Sequence, residues 1–501
     1  MYILEKINNF TKWKYSSVLI LSLLFLVGLF LRTYLIDKNL FFGPEQGRDM
    51  LVVKSIVLDH KLVLIGPTTA VEGIYHGPLY YYLSAIPFFF SKGNPLFISL
   101  FFIFLNALSV FLVYLVGKEL FSKRIGMIAS LFFTFSFGAV VMARWLSHPP
   151  LIIPASCLFF LFLARFLKGN NWYLIPTAIA YGIATQTEFS NLIIFTFIAF
   201  FAVIVFRKRF FQQKIINLLI ATVLAISLPI FNFVLFDIRH NFLITRSLIK
   251  SQEHRPQFVG YFLHTLTGSI GQFMQVFSDV VTPTHVLIAI VFLIASLYAL
   301  MKLKDKYKIG TTLTLIWLFS PFAAFILLRY NPLYHYFTAS IIVTVILIAV
   351  LMDHLLFFRK KLGLIVIGIL IAMNSWLLYV YLPDSQNVFF QSTQPLLKYA
   401  DQMSVIKRVY KEASRAPFFY QAYTIPYWMQ DGWQYLFWYY GKQYGYVPVH
   451  MNKGLLFVII QEDFSTKLYQ YNWLKDTVSK WGVKESQFKY GILTVEKRYV
   501  Q

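Results

Sequence analysis

The sequence contains a single cysteine, Cys157, among 501 residues, so no disulfide forms within the chain and no thiolate cluster binds a metal. Charge is also scarce: Asp, Glu, Lys and Arg make up 13% of the chain, and only 22 residues are acidic. With 58% hydrophobic residues and a mean hydropathy of +0.62, this composition excludes a soluble globular protein and implies an integral membrane protein. Absent too are the phosphate loop GxxxxGK[ST], the zinc-protease motif HExxH, the nucleophile elbow GxSxG and a Gly-rich dinucleotide fingerprint. Their absence argues against ATP hydrolysis and zinc proteolysis. Charge is nearly missing from the centres of the apolar runs, where ion-coupled transporters usually carry paired ionisable groups.

What the sequence does have is unbroken apolar runs of spanning length, which predict helices and exclude a transmembrane β-barrel with its short alternating segments. About eleven spans are expected, near 15–36, 96–117, 125–143, 149–164, 172–187, 190–206, 215–236, 284–301, 309–328, 337–358 and 362–382. The first follows Lys6, Lys12 and Lys14, has no small-residue cleavage site after it, and reads as an uncleaved anchor. The net charge of +23 comes from basic clusters between spans, which reflects membrane topology and not a nucleic-acid partner. The segments 1–14, 118–124, 165–171, 207–214, 302–308 and 359–361 hold 19 Lys and Arg in 46 residues, against 11 in the much longer loops of the opposite side. The positive-inside rule therefore predicts a cytoplasmic N-terminus and an extracytoplasmic C-terminus in a cell-membrane protein.

Two domains are expected: a multispanning domain over 1–382, with a first outer loop at 37–95, and an extracytoplasmic α/β domain over 383–501. In the first loop the stretch His76–Phe90, interrupted by Pro78 and Pro87, is too short to cross and reads as a helix lying in the outer interface. The segment 383–501 carries 14 basic and 9 acidic residues. Periodicity predicts helices near 394–413 and 465–481, and strands at Leu455–Gln461 and Gly491–Arg498.

The sharpest polar cluster is FFGPEQGRDMLVV, directly after the first span. Pro44 suits a helix start, and Glu45 and Asp49, at i and i+4, then share a face with Arg48 close by. A carboxylate at the outer membrane surface suits a general base that activates a hydroxyl or amine. The same residues serve equally well as a helix cap and an ion pair, and the residues alone leave both readings open.

The order of parts resembles the GT-C glycosyltransferases of the protein O-mannosyltransferase and lipid A aminoarabinose transferase group. In that group an Asp-Glu pair opens the first outer loop, an amphipathic helix follows, and a K/H-P-P-L-x-Y-like segment precedes the second span. Here those positions read Pro44-Glu45, Gln46–His60 and His76-Gly77-Pro78-Leu79-Tyr80-Tyr81, and Ala143–Phe160 resembles the group's segment between the third and fourth spans. The resemblance covers roughly residues 15–205. It implies transfer of a sugar from a polyprenyl-phosphate carrier to a protein, lipid or glycan acceptor on the outer face, with inversion at the anomeric carbon and no nucleotide cofactor. Because Pro44 replaces the first acid of the pair, it implies Glu45 as the base, with Asp49 as the alternative.

On this reading the donor's phosphate needs cations. Arg48, His76, Arg144, Arg329 and His335 are the candidates; Arg144 and Arg329 are the only Lys or Arg in the short outer loops. Each serves equally as an interface anchor. Glu188 and Asp237 are expected to line the cavity or contact the acceptor. A divalent metal ion has Glu45, His76 and His148 as its candidate ligands. The aromatic stretch 417–440 reads as domain core, with a sugar-stacking surface as the other reading. The rival functions are a transporter or flippase for lipid-linked sugars, and a non-catalytic assembly subunit.

Overall fold

The computed structural model describes residues 2–69, 71–253, 258–384, 397–427 and 429–501, and divides into two compact units. The first comprises 1–34, 63–80 and 101–379. The second comprises 35–62, 81–100 and 380–501, so the C-terminal segment shares its unit with two pieces of the first outer loop and its sequel.

Among the described residues, seven helices are long and apolar enough to cross a membrane: Ser17–Asn39, Pro95–Leu120, Pro149–Leu167, Ile215–Arg239, Lys308–Leu328, Ser340–Phe358 and Lys360–Tyr381. Two bent pairs raise this to nine: Lys123–Phe135 with Phe137–Ala143, and Tyr261–Val281 with Val286–Lys302. The other two expected spans are helices too, but short ones, Leu174–Thr185 of 12 residues and Phe189–Val205 of 17. Length is what separates eleven from nine.

In the first unit the helix Ser340–Phe358 is apolar on every side and buried throughout 340–352, as such a helix must be. Helices Ser109–Leu120 and Lys123–Phe135 form a tight hairpin. Ser122 caps the second through its Oγ, which accepts from Ile125 N–H at 3.2 Å. The crossing is close because Gly117 and Gly126 face each other; a Cβ on Gly117 would lie 2.7 Å from the Gly126 Cα. Arg32 is wholly buried and donates to Asn106 Oδ1 at 3.0 Å and to the carbonyls of Gly28, Phe133 and Thr134.

The bends, of 61° and 88°, share one partner. Asn374 Oδ1 accepts the Phe137 N–H at 2.8 Å, at the first break, and its Nδ2 donates to the Val281 carbonyl at 3.1 Å, at the second. One buried amide thus satisfies backbone groups that two helix breaks set free.

In the second unit, β1 (Phe418–Tyr423), β2 (Gly454–Gln461), β3 (Val483–Tyr490) and β4 (Leu493–Val500) form a sheet of order β1-β2-β4-β3. β1 pairs parallel to β2, and the other pairings are antiparallel. Helices Tyr399–Ala413, Asp431–Tyr444 and Lys467–Asp476 complete it. The two expected strands appear as β2 and β4. The expected helices appear as Tyr399–Ala413 and Lys467–Asp476, while 394–396 lie outside the described residues. β1, β3 and the helix Asp431–Tyr444 were not expected: β1 and the helix come from the aromatic stretch, and β3, VKESQFKY, is largely exposed and carries almost no apolar pattern. The first-loop helix spans Pro44–Leu58 and packs on Asp431–Tyr444, where a Cβ on Gly47 would meet the Gly432 backbone nitrogen at 2.3 Å. The interface stretch forms the helix Leu79–Ser91 with Pro87 inside it.

Candidate functional site

In the second unit, Pro44 occupies the first helical turn and the Gly43 N–H is accepted by Gln46 Oε1 at 3.0 Å, which fixes the direction of the helix. The next turn separates the two acids. Asp49 is buried, and its Oδ1 accepts from Arg48 Nε at 3.0 Å, Arg48 Nη2 at 2.9 Å and Tyr81 Oη at 3.1 Å. Burial raises its carboxyl to about 6 against the pull of Arg48 and Tyr81. Glu45 is exposed, yet crowding by the surrounding protein raises its carboxyl above the ordinary range while Arg48 opposes the shift. Exposed surface and raised basicity leave Glu45 open to a reactant, whereas Asp49 is committed to a buried ion pair.

In the first unit a second polar group forms. The loop 66–77 folds back on itself, with Gly66 N–H donating to the His76 carbonyl at 2.8 Å and His76 N–H to that of Pro67 at 2.9 Å. Gly77 then abuts the turn before the helix Phe189–Val205: a Cβ there would lie 2.5 Å from the Gln186 carbonyl oxygen. This contact sets His76 beside that turn, where its Nδ1 accepts the Phe189 N–H at 3.0 Å. In the neutral ring the proton is then on Nε2. His148 precedes the pair Pro149-Pro150, and its ring lies 4.2 Å from that of His76. Glu188, at the cap of the helix, is wholly buried, and His335 Nε2 approaches its Oε1 at 3.5 Å. The Trp145 ring meets His335 edge-on at 5.8 Å.

Burial moves both members of the Glu188–His335 contact toward neutrality. The Glu188 carboxyl rises well above its ordinary value and the His335 imidazole falls to about 4. Both shifts disfavour the charged forms, so burial weakens the contact as an ion pair.

The ligating atoms of His76, His148 and Glu188 lie within 4.8 Å of one another. Two imidazoles and a carboxylate are a common donor set for a divalent ion, and neither oxygen of the buried Glu188 carboxyl makes a full hydrogen bond. The donor types therefore fit a metal. One contact must give way on binding, because a metal-bound imidazole carries its proton on the other nitrogen and His76 cannot then accept from Phe189. Of the ligands expected from sequence, His76 and His148 belong to this cluster; its carboxylate is Glu188, while Glu45 belongs to the other unit.

The remaining candidates have individual roles. Arg144 is buried and donates through Nη1 to the carbonyls of Arg32 at 3.0 Å and Tyr34 at 2.9 Å, which staples the end of the first helix. Arg329 ends the helix Lys308–Leu328 in the left-handed conformation, with φ of 51°. Asp237 accepts from the Ile244 N–H at 2.7 Å and from Thr245 Oγ1 at 2.5 Å, so it caps the following helix, Leu243–Glu253. Sequence reasoning did not find Tyr81 as the partner of Asp49, the Glu188–His335 contact, or Asp279, which is buried and held by Gln275 at 3.1 Å. The i, i+4 spacing of Gln275 and Asp279 was the only signal for the last.

Residues 75–233 match the family of dolichyl-phosphate-mannose-protein mannosyltransferases; this stretch includes His76, His148 and Glu188. No curated protein matches the sequence. Among solved structures, ArnT from Cupriavidus metallidurans bound to undecaprenyl phosphate superposes with a TM-score of 0.58 at 12% identity, over 97% of this chain and 98% of ArnT. The apo state of ArnT gives 0.60 at the same identity and coverage. The Archaeoglobus fulgidus oligosaccharyltransferase in complex with zinc and sulfate gives 0.52 at 16% identity, over 91% of this chain and 69% of that one. The resemblance to GT-C glycosyltransferases read from the sequence is borne out by both comparisons: the chain has the fold of ArnT over nearly its whole length, and its residues 75–233 carry the sequence pattern of the dolichyl-phosphate-mannose-protein mannosyltransferases.

Proposed function

We propose that this protein is a membrane glycosyltransferase that takes a sugar from a polyprenyl-phosphate carrier and transfers it to an acceptor on the outer face of the membrane. The observation that carries this reading is the near-complete two-way coverage of ArnT, a protein solved with undecaprenyl phosphate bound. In the proposed step an acceptor hydroxyl or amine attacks the anomeric carbon while the bond from that carbon to the phosphate oxygen breaks. Glu45 takes the acceptor's proton, the polyprenyl phosphate leaves as an anion, and the anomeric configuration inverts. The exposed Glu45 carboxyl with its raised basicity supports this role, and Asp49, already paired with Arg48, is its weaker rival. Arg329 and Arg48 are proposed to stabilise the departing phosphate as cations, and His335 as a neutral hydrogen-bond donor. His76, His148 and Glu188 would hold a divalent ion, which when bound would supply Lewis-acid stabilisation of phosphate charge.

The short helices Leu174–Thr185 and Phe189–Val205 are proposed to complete eleven spans, with the N-terminus cytoplasmic and the C-terminal segment outside. The decisive experiment is transfer of radiolabel from polyprenyl-phosphate sugars by the purified protein. Glu45→Gln should abolish transfer while donor binding persists, and Asp49→Asn should reduce it less. A wild-type enzyme inert toward every donor in a pentose and hexose panel would overturn the reading, and full activity in both variants would remove the base.

A further inference from the structure

A cleft of about 510 Å³ opens within the second unit, between the first-loop helix Pro44–Leu58, the strand β1, the helix Asp431–Tyr444 and the segment 447–452. The catalytic proposal above makes no use of it. Its size falls in the range of small-ligand sites, and its chemistry is specific. Four side-chain amides, Gln421, Gln430, Gln434 and Asn452, converge on walls that include the rings of Tyr420 and Trp438. The walls are rigid. Tyr420 stacks on the buried Phe437 at 4.3 Å between centroids, and Trp438 stacks on Phe88 at 6.1 Å.

The amides are not locked into the fold. Gln421 and Gln434 are exposed, and Gln430 makes only long contacts, at 3.5 Å to Gln421 Oε1 and 3.4 Å to the Ala422 carbonyl. Among the described lining residues there is no carboxylate, whereas Lys54 lines the cleft with its Nζ 4.8 Å from the Trp438 ring.

We infer that this cleft is a saccharide-binding site for two or three sugar units of a neutral or acidic glycan. Amides both donate and accept, which matches the paired donor and acceptor character of vicinal hydroxyls. Aromatic rings pack against the apolar C–H faces of sugars while leaving their hydroxyls free. An isoprenoid would offer the amides and Lys54 no hydrogen-bond partner, so they would contribute nothing to its binding. A cationic amino sugar would meet Lys54 without a counter-charge. On the transferase reading, on which this assignment of a role rests, the glycan is the acceptor; the binding itself is measured without any transfer, so the two ideas fail separately.

The test uses the full-length protein in lipid nanodiscs, because sugar-headed detergents would compete. Saturation-transfer NMR and calorimetry are run with maltotetraose, mannotetraose, chitotetraose, tetragalacturonate and, as the cationic control, tetraglucosamine. At least one neutral or acidic oligosaccharide should bind, and Gln421→Ala and Gln434→Ala should each weaken it tenfold or more with an unchanged melting temperature. Gln434→Asn, which keeps the amide on a shorter arm, should retain part of the binding and serves where the alanine variant fails to fold. Three results would each overturn the site: no binding by any of the four, equal binding by all variants, or a preference for tetraglucosamine.

Discussion

Asp49 and Glu45 lie one helical turn apart, yet the fold assigns them different chemistry. Asp49 is a buried acid whose carboxyl is raised to about 6, so the folded state holds its proton more tightly than the unfolded chain does. The stability it contributes is fully present below about pH 4 and is lost as pH rises through about 6, a loss of roughly 3 kcal/mol. Melting temperature measured from pH 4 to 7 should therefore fall across this window in the wild type, and Asp49→Asn should flatten that part of the curve. At the same scale, Arg144 and Arg329 separate. Arg144 already donates to two backbone carbonyls, so Arg144→Ala should lower the melting temperature more than it lowers donor affinity. For Arg329→Ala we expect donor binding to weaken roughly ten- to a hundredfold, the equivalent of about 1.5–3 kcal/mol for one charge-assisted contact. A Lys replacement should recover only part, because it lacks the guanidinium fork. Normal affinity with reduced stability would make Arg329 an anchor instead. The chemistry-bearing residue types were legible at this scale, since Glu45, Arg48, Asp49, His76 and His148 stand in short motifs. Their partners were not, because Tyr81 lies 32 residues from Asp49, and Glu188 and His335 are brought together only by folding.

Among the elements, the apolar helices follow from composition, but their breaks do not. The first bend has no proline at its break, where Ser136 separates Phe135 from Phe137; the second falls at Thr282–His285, which contains Pro283. Both breaks share Asn374, whose amide serves the Phe137 N–H and the Val281 carbonyl at once. Replacing it with Leu, which has a similar volume, leaves two buried backbone groups unpaired at a cost of about 1–3 kcal/mol each. We expect Asn374→Leu to lower the melting temperature markedly, and Asn374→Asp, which keeps the acceptor oxygen, to be harmful as well because it buries a charge or an extra proton. If Asn374→Leu melts like the wild type, the breaks are held by packing and not by this amide. A lone Asn in an apolar run was visible in the sequence. Its two partners, 237 residues and 93 residues away, were not.

For the whole molecule, orientation rests on the asymmetric distribution of basic residues between loops. A reporter active only outside the cytoplasm, fused after Leu382, should be active, and one active only inside should be silent. The opposite result would invert the topology and place Glu45 on the cytoplasmic side, where an outer-face donor could not reach it. This measurement bears on function directly, since a lipid-linked sugar presented on the outer face requires its base there.

The sequence by itself determined the membrane class, the places of the long apolar helices and the position of the first-loop motif, because these depend on local quantities: the length of apolar runs and the few residues after a proline. It also carried enough pattern for β2, an unbroken apolar run, and for β4, which opens on Leu493 and Val495 at alternate positions. Tertiary structure alone decided that 35–62 and 81–100 share a unit with the C-terminal segment, an arrangement that depends on the Gly47–Gly432 contact across nearly the full chain. It alone also decided that Glu188 stands with His76 and His148. A carboxyl at a helix cap looks the same in sequence whether it faces water or two imidazoles, and only the packing of distant segments removes the water that makes the difference.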